Sequence, residues 1–305
     1  MTKKEMVTYL LDYLIKENPQ FRAIDVSSDL DSQETLLRAL LNVRPPMAVS
    51  SGFLDMQDNY LQLKKAERVV VFLNHLRPIP TDDRLYVWKG DITRLKVDAI
   101  VNTANHRMLG CFQPLHDCTD NTIHTYAGVQ LRLDCYKLIQ EQGHDEPTGT
   151  AKITPAYNLP AKFVLHTVSP AINEHLTPID EDLLAKSYLS CLTLAEKNHL
   201  ESVALPSLAA DDEVRFINEN AAKIAIQTVK DFLERSQFVN KIVLNVDEDD
   251  ELNLYQQLLI NQKNANKGVL FLILELLYLK HLFLQCLLNQ DQRCRLVFYQ
   301  MGLLS

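Results

Sequence analysis

From residue 84 onward the chain alternates short β-type apolar runs with helical patterns of ten or more residues. This restricts it to strands joined by helical crossovers. "LYVWKGDIT" and "VDAIVNTAN" read as strands, and "NTIHTYAGVQLRLDCYKLIQEQG" (121–143) reads as one helix closed by Gly143. Next come the strand "FVLHTVSP" and the helix "DEDLLAKSYLSCLTLAEKNH", with Asp180 near its cap. The strand "ESVALPSL" precedes the helix "NENAAKIAIQTVKDFLERS", capped by Asn218, and the strand "NKIVLNV" precedes a last helix through "DELNLYQQLLI". The pattern predicts an α/β fold in which helices cover both faces of a mixed or parallel sheet. Ligands of such sheets sit beyond the carboxyl ends of the strands, so the loops after "VDAIVN" and "SVALP" are the places to look.

Residues 1–80 are mainly helical by pattern. Met6, Tyr9, Leu10, Tyr13 and Leu14 recur at helical spacing, so "MTKKEMVTYLLDYLIKENP" predicts an amphipathic helix and not a signal peptide. A second helix is expected over "DSQETLLRALLNVRPP", with Ser32 as its N-cap and Pro45 and Pro46 ending it. "PIPTDD" (78–83) is the expected boundary before a domain at 84–262. An apolar helical tail is expected over 266–305. Its run 268–288 is interrupted by Glu275, Lys280 and His281, which favours a buried or partner-facing helix over a membrane span.

The chain of 305 residues is 47% hydrophobic and 23% charged, the composition of a globular protein. Its 31 basic and 39 acidic residues leave a net charge of −8, which argues against a nucleic-acid partner while still allowing a local anion pocket. Six cysteines are too few for a disulfide scaffold at this length, and reduced thiols in a cytoplasm are expected.

Chemistry concentrates in "GCFQPLHDCTDNTIH" (110–124). Cys111, His116 and Cys118 form C-x4-H-x-C, a donor set suited to zinc with one position left open; a buried cysteine pair beside a solvated histidine is the alternative. Asp120 is either the N-cap of the following helix or a carboxylate facing the same pocket, and His124 lies one turn further on. "GDI" (90–92) and "NTAN" (102–105) each end a strand, where their polar residues either stabilise turns or hold a ligand.

Together, "VWKGDITRLKVDAIVNTANHRMLGCFQPLHDCTDNTIHTYAGVQLRL" and "PTGTAKITPAYNLPAKFVLHTVSP" resemble the macrodomain family, over about 84–260. More narrowly, they resemble its zinc-containing bacterial branch, which removes ADP-ribose from modified proteins. The resemblance implies a three-layer α/β/α macrodomain with a mixed sheet, preceded by a helical N-terminal extension. It assigns adenine recognition to Asp91 and Ile92, and the distal ribose to Asn105. Cys111, His116 and Cys118 match the zinc ligands, in a segment that replaces the glycine-rich loop of other members. Asp120 matches the acidic residue near the scissile bond.

Three departures stand out. Thr103 replaces an alanine of N-A-A-N, and Ser169 replaces the glycine of a G-P pair. Over 207–216 the phosphate-cradling loop keeps Phe216 as an ADP-ribose-binding residue. It has no glycine, however, and carries Asp211, Asp212 and Glu213. The implied activity is zinc-dependent hydrolysis that frees mono-ADP-ribose from protein side chains, with ADP-ribose and mono-ADP-ribosylated protein as partners. The alternative is a non-catalytic ADP-ribose-binding module with a structural zinc.

Overall fold

The structure, a computed structural model, describes residues 1–172, 176–209 and 219–260. Phe216, Asn218, the acids at 211–213 and the tail over 266–305 lie outside the described residues. Among those described, no helix is long and apolar enough to cross a membrane.

Three helices come first: α1 (Lys3–Glu17), α2 (Leu30–Val43) and α3 (Ser51–Glu67). α1 starts in a capping box, in which the Thr2 side chain accepts from Glu5 N and the Glu5 carboxylate accepts from Thr2 N. The N-cap of α2 is Asp29, whose carboxylate accepts from Ser32 N. The expected cap, Ser32, therefore lies inside the first turn, where both its N–H and its hydroxyl donate to the Asp29 carboxylate. Leu10, Leu11, Leu37 and Phe53 form a core of their own, against which Val129 packs from the sheet domain. Burying each such side chain contributes about 1.5–3 kcal/mol.

The strands are β1 (Val71–Phe72), β2 (Pro78–Ile79), β3 (Asp82–Lys89), β4 (Leu95–Lys96), β5 (Ala99–Thr103), β6 (Ala151–Pro155), β7 (Phe163–Thr167), β8 (Ser202–Pro206) and β9 (Lys241–Val246). β1 and β4 pair separately from the rest, and the main sheet runs β2-β3-β9-β8-β5-β7-β6. Its five inner strands are parallel, while β2 and β6 pair antiparallel at the two edges. "PIPTDD" is therefore no linker: it forms β2 and turns directly into β3. The half-exposed edge strand β6 has no apolar run to announce it and escaped the pattern.

The remaining helices are α4 (Thr119–Ala127), α5 (Val129–Gln142), α6 (Pro178–Lys197), α7 (Glu219–Leu233) and a last one over 249–260. The single helix expected over 121–143 is two, separated by Gly128 at φ +102. Its φ of +102 favours glycine and turns the backbone out of the helix there, and a Cβ would also meet the Gln57 amide at 2.6 Å. Gly143 caps α5 as expected. Ile123, Ala127 and Leu131 pack on one sheet face with Ile100, Val164, Ala204 and Val243. The alternate residues Val101, Leu165, Val203 and Leu205 are also fully buried, so the other face is covered too, and there α6 packs on β6, β7 and β8. The fold is a mixed sheet flanked by helices on both faces. Met1–Gln256 makes one compact unit; the second, Gln257–Ser305, is described only over 257–260.

Candidate active site and metal centre

β3, β5 and β8 are parallel, so their carboxyl ends share one sheet edge. That edge carries Asp91 after β3 and the loop from Ala104 to the start of α4 after β5. The chain from Ser207 onward follows β8 there.

The loop leaves β5 with Ala104 N donating to Thr167 O (2.8 Å). Asn105 stabilises the turn that follows. Its Oδ1 accepts from Arg107 N at 3.0 Å, and its Nδ2 donates to Gly110 O at 3.0 Å. Gly110 has φ +80, and a Cβ there would lie 2.8 Å from the His124 ring. The backbone can thus pass close over α4 only with glycine at this position.

Cys111, His116 and Cys118 follow. Among the described residues, they are the group whose donor atoms gather tightly enough to share a metal ion, all within 4.8 Å of one another. The Cys111 Sγ to His116 Nδ1 distance is 3.4 Å. Cys118 is buried and is the N-cap of α4, its sulfur accepting from Asn121 N at 3.4 Å. A helix N-terminus and a backbone donor suit a thiolate, the form in which cysteine binds metal. Two sulfurs and one imidazole form a soft-to-borderline donor set, so these residues fit a metal ion. Of the two readings of Asp120, the N-cap does not hold: the residue sits within the first turn of the helix.

Asp120 is 8% exposed and enters a buried polar cluster at the bottom of the site. Asn102, fully buried on β5, donates its amide to Asp120 Oδ1 (2.8 Å) and lies 3.2 Å from His166 Nδ1. His166 Nδ1 is therefore the acceptor, and its Nε2–H donates to Thr154 Oγ1 at 2.9 Å. Burial pushes the His166 pKa down to about 3. His124, whose Nε2 lies 3.4 Å from Asp120 Oδ1, is also held well below the ordinary histidine range by burial. Both imidazoles are neutral at pH 7, so Asp120 is surrounded by neutral dipoles on these sides. The Arg132 guanidinium is the nearby cation. Burial lowers its pKa to about 10 while attraction to Asp120 opposes the shift, and it remains charged at pH 7.

At the other end of the edge, Asp91 Oδ1 accepts from Thr93 N (2.9 Å), while Oδ2 pairs with Arg68 at the end of α3. Arg68 also donates to Thr93 Oγ1 (2.8 Å), and its guanidinium lies 3.6 Å from the Tyr126 ring centroid. Ile92 is buried against the core. The structure thus gathers Asp91, Ile92, Asn105, the metal-ligand group and Asp120 along the carboxyl edge of one sheet. Sequence reasoning missed Arg68 and the central place of Asn102 and His166. The pairings arise between distant segments, and only the mention of Asn102 in "NTAN" hinted at one of them.

A parallel-centred sheet with helices on both faces and this set of polar groups at its carboxyl edge defines a macrodomain. The Macro domain family model matches residues 101–225, and the chain belongs to that family. It is 50% identical over 261 residues to the protein-ADP-ribose hydrolase of Treponema medium, a match covering 85% of this chain and 100% of that protein. With the protein-ADP-ribose hydrolase of Staphylococcus aureus (strain MSSA476) it shares 43% identity over 257 residues, covering 84% and 96%. The macrodomain of Trypanosoma brucei in complex with ADP-ribose superposes with a TM-score of 0.57 at 27% identity, covering 73% of this chain and 94% of that one. The Oceanobacillus iheyensis macrodomain with ADP gives 0.55 at 30% identity, covering 62% and 96%.

Proposed function

We propose that this chain is a zinc-dependent protein-ADP-ribose hydrolase that frees mono-ADP-ribose from modified protein side chains. The reading is carried by the gathering of Cys111, His116 and Cys118 donor atoms within 4.8 Å, directly before the helix turn that holds Asp120. Likeness at 43–50% identity to proteins named protein-ADP-ribose hydrolase supports its hydrolase part.

In this proposal Asp91 and Ile92 receive the adenine, Asn105 orients the distal ribose, and Phe216 contributes from its loop. Asp120, held by Asn102, serves as the group that takes a proton from the attacking water or gives one to the departing side chain. Cys111, His116 and Cys118 would hold the zinc ion, which when bound supplies Lewis-acid polarisation of an oxygen at the distal ribose. In this reading residues 84–262 carry the macrodomain, and the three helices of the N-terminal region extend it. A reducing cytoplasm suits this reading, in which Cys111, Cys118, Cys135 and Cys191 stay as thiols and form no disulfide.

The acids Asp211, Asp212 and Glu213 favour a second reading, a non-catalytic ADP-ribose-binding module with a structural zinc, because they oppose a diphosphate. One experiment separates the two. Incubation with mono-ADP-ribosylated protein releases ADP-ribose under the first reading, and Cys118→Ser abolishes release. ADP-ribose binding without release supports the module, and absence of binding at millimolar ADP-ribose rejects both.

A further inference from the structure

Residues 111–118 contain no helix or strand, and their internal backbone bonding is limited to a turn in which His116 N donates to Gln113 O (3.3 Å). Ordering such a stretch costs conformational entropy, so something outside the loop must hold it if the ligands are to stand ready. α2 does this. Arg38 Nη2 donates to His116 O at 3.1 Å and to Asn121 Oδ1 at 3.3 Å. One turn further along the same helix, Asn42 Oδ1 accepts from Leu115 N (3.3 Å) while its Nδ2 donates to Thr125 Oγ1 (3.1 Å). Asn42 is 1% exposed, and its two amide atoms are matched to one partner inside the metal-ligand segment, Leu115, and one on α4, Thr125.

The residues they grip are the ones that need it. Leu115, immediately before His116, has φ +60, a left-handed conformation that a leucine adopts only under strain. Asn121 relays the hold to the rest of the loop: its Nδ2 donates to Gln113 O at 3.1 Å, and its backbone N–H reaches the Cys118 sulfur. Arg38 therefore touches the carbonyl of one ligand residue and the side chain whose backbone supports another.

We propose that Arg38 and Asn42 of the N-terminal extension are positioning residues for the metal centre, fixing the spacing of Cys111, His116 and Cys118 before the ion arrives. The extension is then part of the site and not an appendage to it. This rests on the reading that these three residues hold zinc. Outer-shell partners of metal ligands are worth roughly ten- to hundredfold in metal affinity.

The test measures zinc affinity of the full chain by competition with a chromophoric chelator, together with the thiolate-to-cobalt absorption of the Co2+ form. Arg38→Ala is expected to lower zinc affinity roughly ten- to hundredfold and to alter the cobalt band, and Arg38→Lys to recover part of the loss. Gln57→Ala is the control: it removes a different link from the extension, the acceptor for Val129 N (2.9 Å), and should lower Tm while leaving zinc affinity unchanged. Wild-type affinity in Arg38→Ala, or an equal loss in Gln57→Ala, overturns the proposal. If Asn42→Ala does not fold, Asn42→Asp keeps the acceptor for Leu115 N and is expected to hold zinc more tightly than Arg38→Ala; weaker binding counts against the clamp. A wild-type chain with no thiolate-to-cobalt band would reject the metal reading itself, and the proposal with it.

Discussion

Asn102 donates its side-chain amide to Asp120 Oδ1 at 2.8 Å, joining the central strand β5 to the first turn of α4 beneath the metal-ligand loop. Asn102 is fully buried, and the same amide faces His166 Nδ1 at 3.2 Å. The contact holds a buried carboxylate in place with a neutral donor.

Replacing either partner should have a different signature. Asp120→Asn is expected to lower ADP-ribose release by about 10²–10⁴-fold while zinc content stays at the wild-type level. Asn102→Ala leaves the carboxylate without this donor and should cost about 2–3 kcal/mol in urea unfolding. A loss below half a kcal/mol in the second variant would show that the contact is not what holds Asp120.

Gly110→Ala tests the close passage of the loop over α4. The added methyl meets the His124 ring at 2.8 Å on a backbone already at φ +80. Thermal unfolding should show a loss of more than about 1 kcal/mol, and chelator competition a weaker zinc site. Unchanged values in both would mean that the loop can reroute.

Acid should destabilise the fold through its buried histidines. His166 has its pKa pushed down to about 3 in the folded chain, against about 6.5 when unfolded. Its contribution is complete above pH 6.5 and is lost as pH falls from there toward 3, because only the unfolded chain takes up the proton. The slope reaches about 1.4 kcal/mol per pH unit for each such histidine, and His124 shifts in the same direction. Urea unfolding of the reduced, metal-free protein at pH 7, 6 and 5 should show the fall, and His166→Gln should flatten it. A pH-independent stability in the wild type contradicts the neutral assignment.

Arg68→Met tests the other end of the site. The pair with Asp91 is partly exposed, with 20% and 35% of the two side chains accessible, so its worth is modest. Calorimetry with ADP-ribose should give a Kd raised about two- to fivefold, with Tm little changed, as the Asp91 carboxylate loses its lateral support. Tighter binding in the variant would make Arg68 a competitor for Asp91 and not its support.

Much of this arrangement is written in local chemistry. The apolar runs of β5, β8 and β9 mark strands buried on both faces, and helices of ten or more residues between them require a parallel sheet. Its polarity then sends "GDI", "NTAN" and the Cys-His-Cys segment to one edge. Those features are legible because each depends on residues within a few positions of one another.

The errors share one cause. Ser32 looks like a cap in isolation, and so does Asp120 in one of its two readings, but Asp29 and Cys118 take those roles because the backbone enters each helix at a different residue. Gly128 looks like an ordinary helix residue until Gln57, from α3, comes against it.

What the order of residues could not contain is how the extension meets the site. Arg38 lies 78 positions from His116 and 83 from Asn121, and Asn42 lies 83 from Thr125. A hydrogen bond depends on ångström-scale placement of its two partners, and that placement comes only when α2 has packed on α4. Hydrophobic period and turn chemistry choose the elements and their edge of the sheet. Tertiary packing alone decides which side chains from the extension hold the loop, and so whether three donors separated in sequence stand close enough to share an ion.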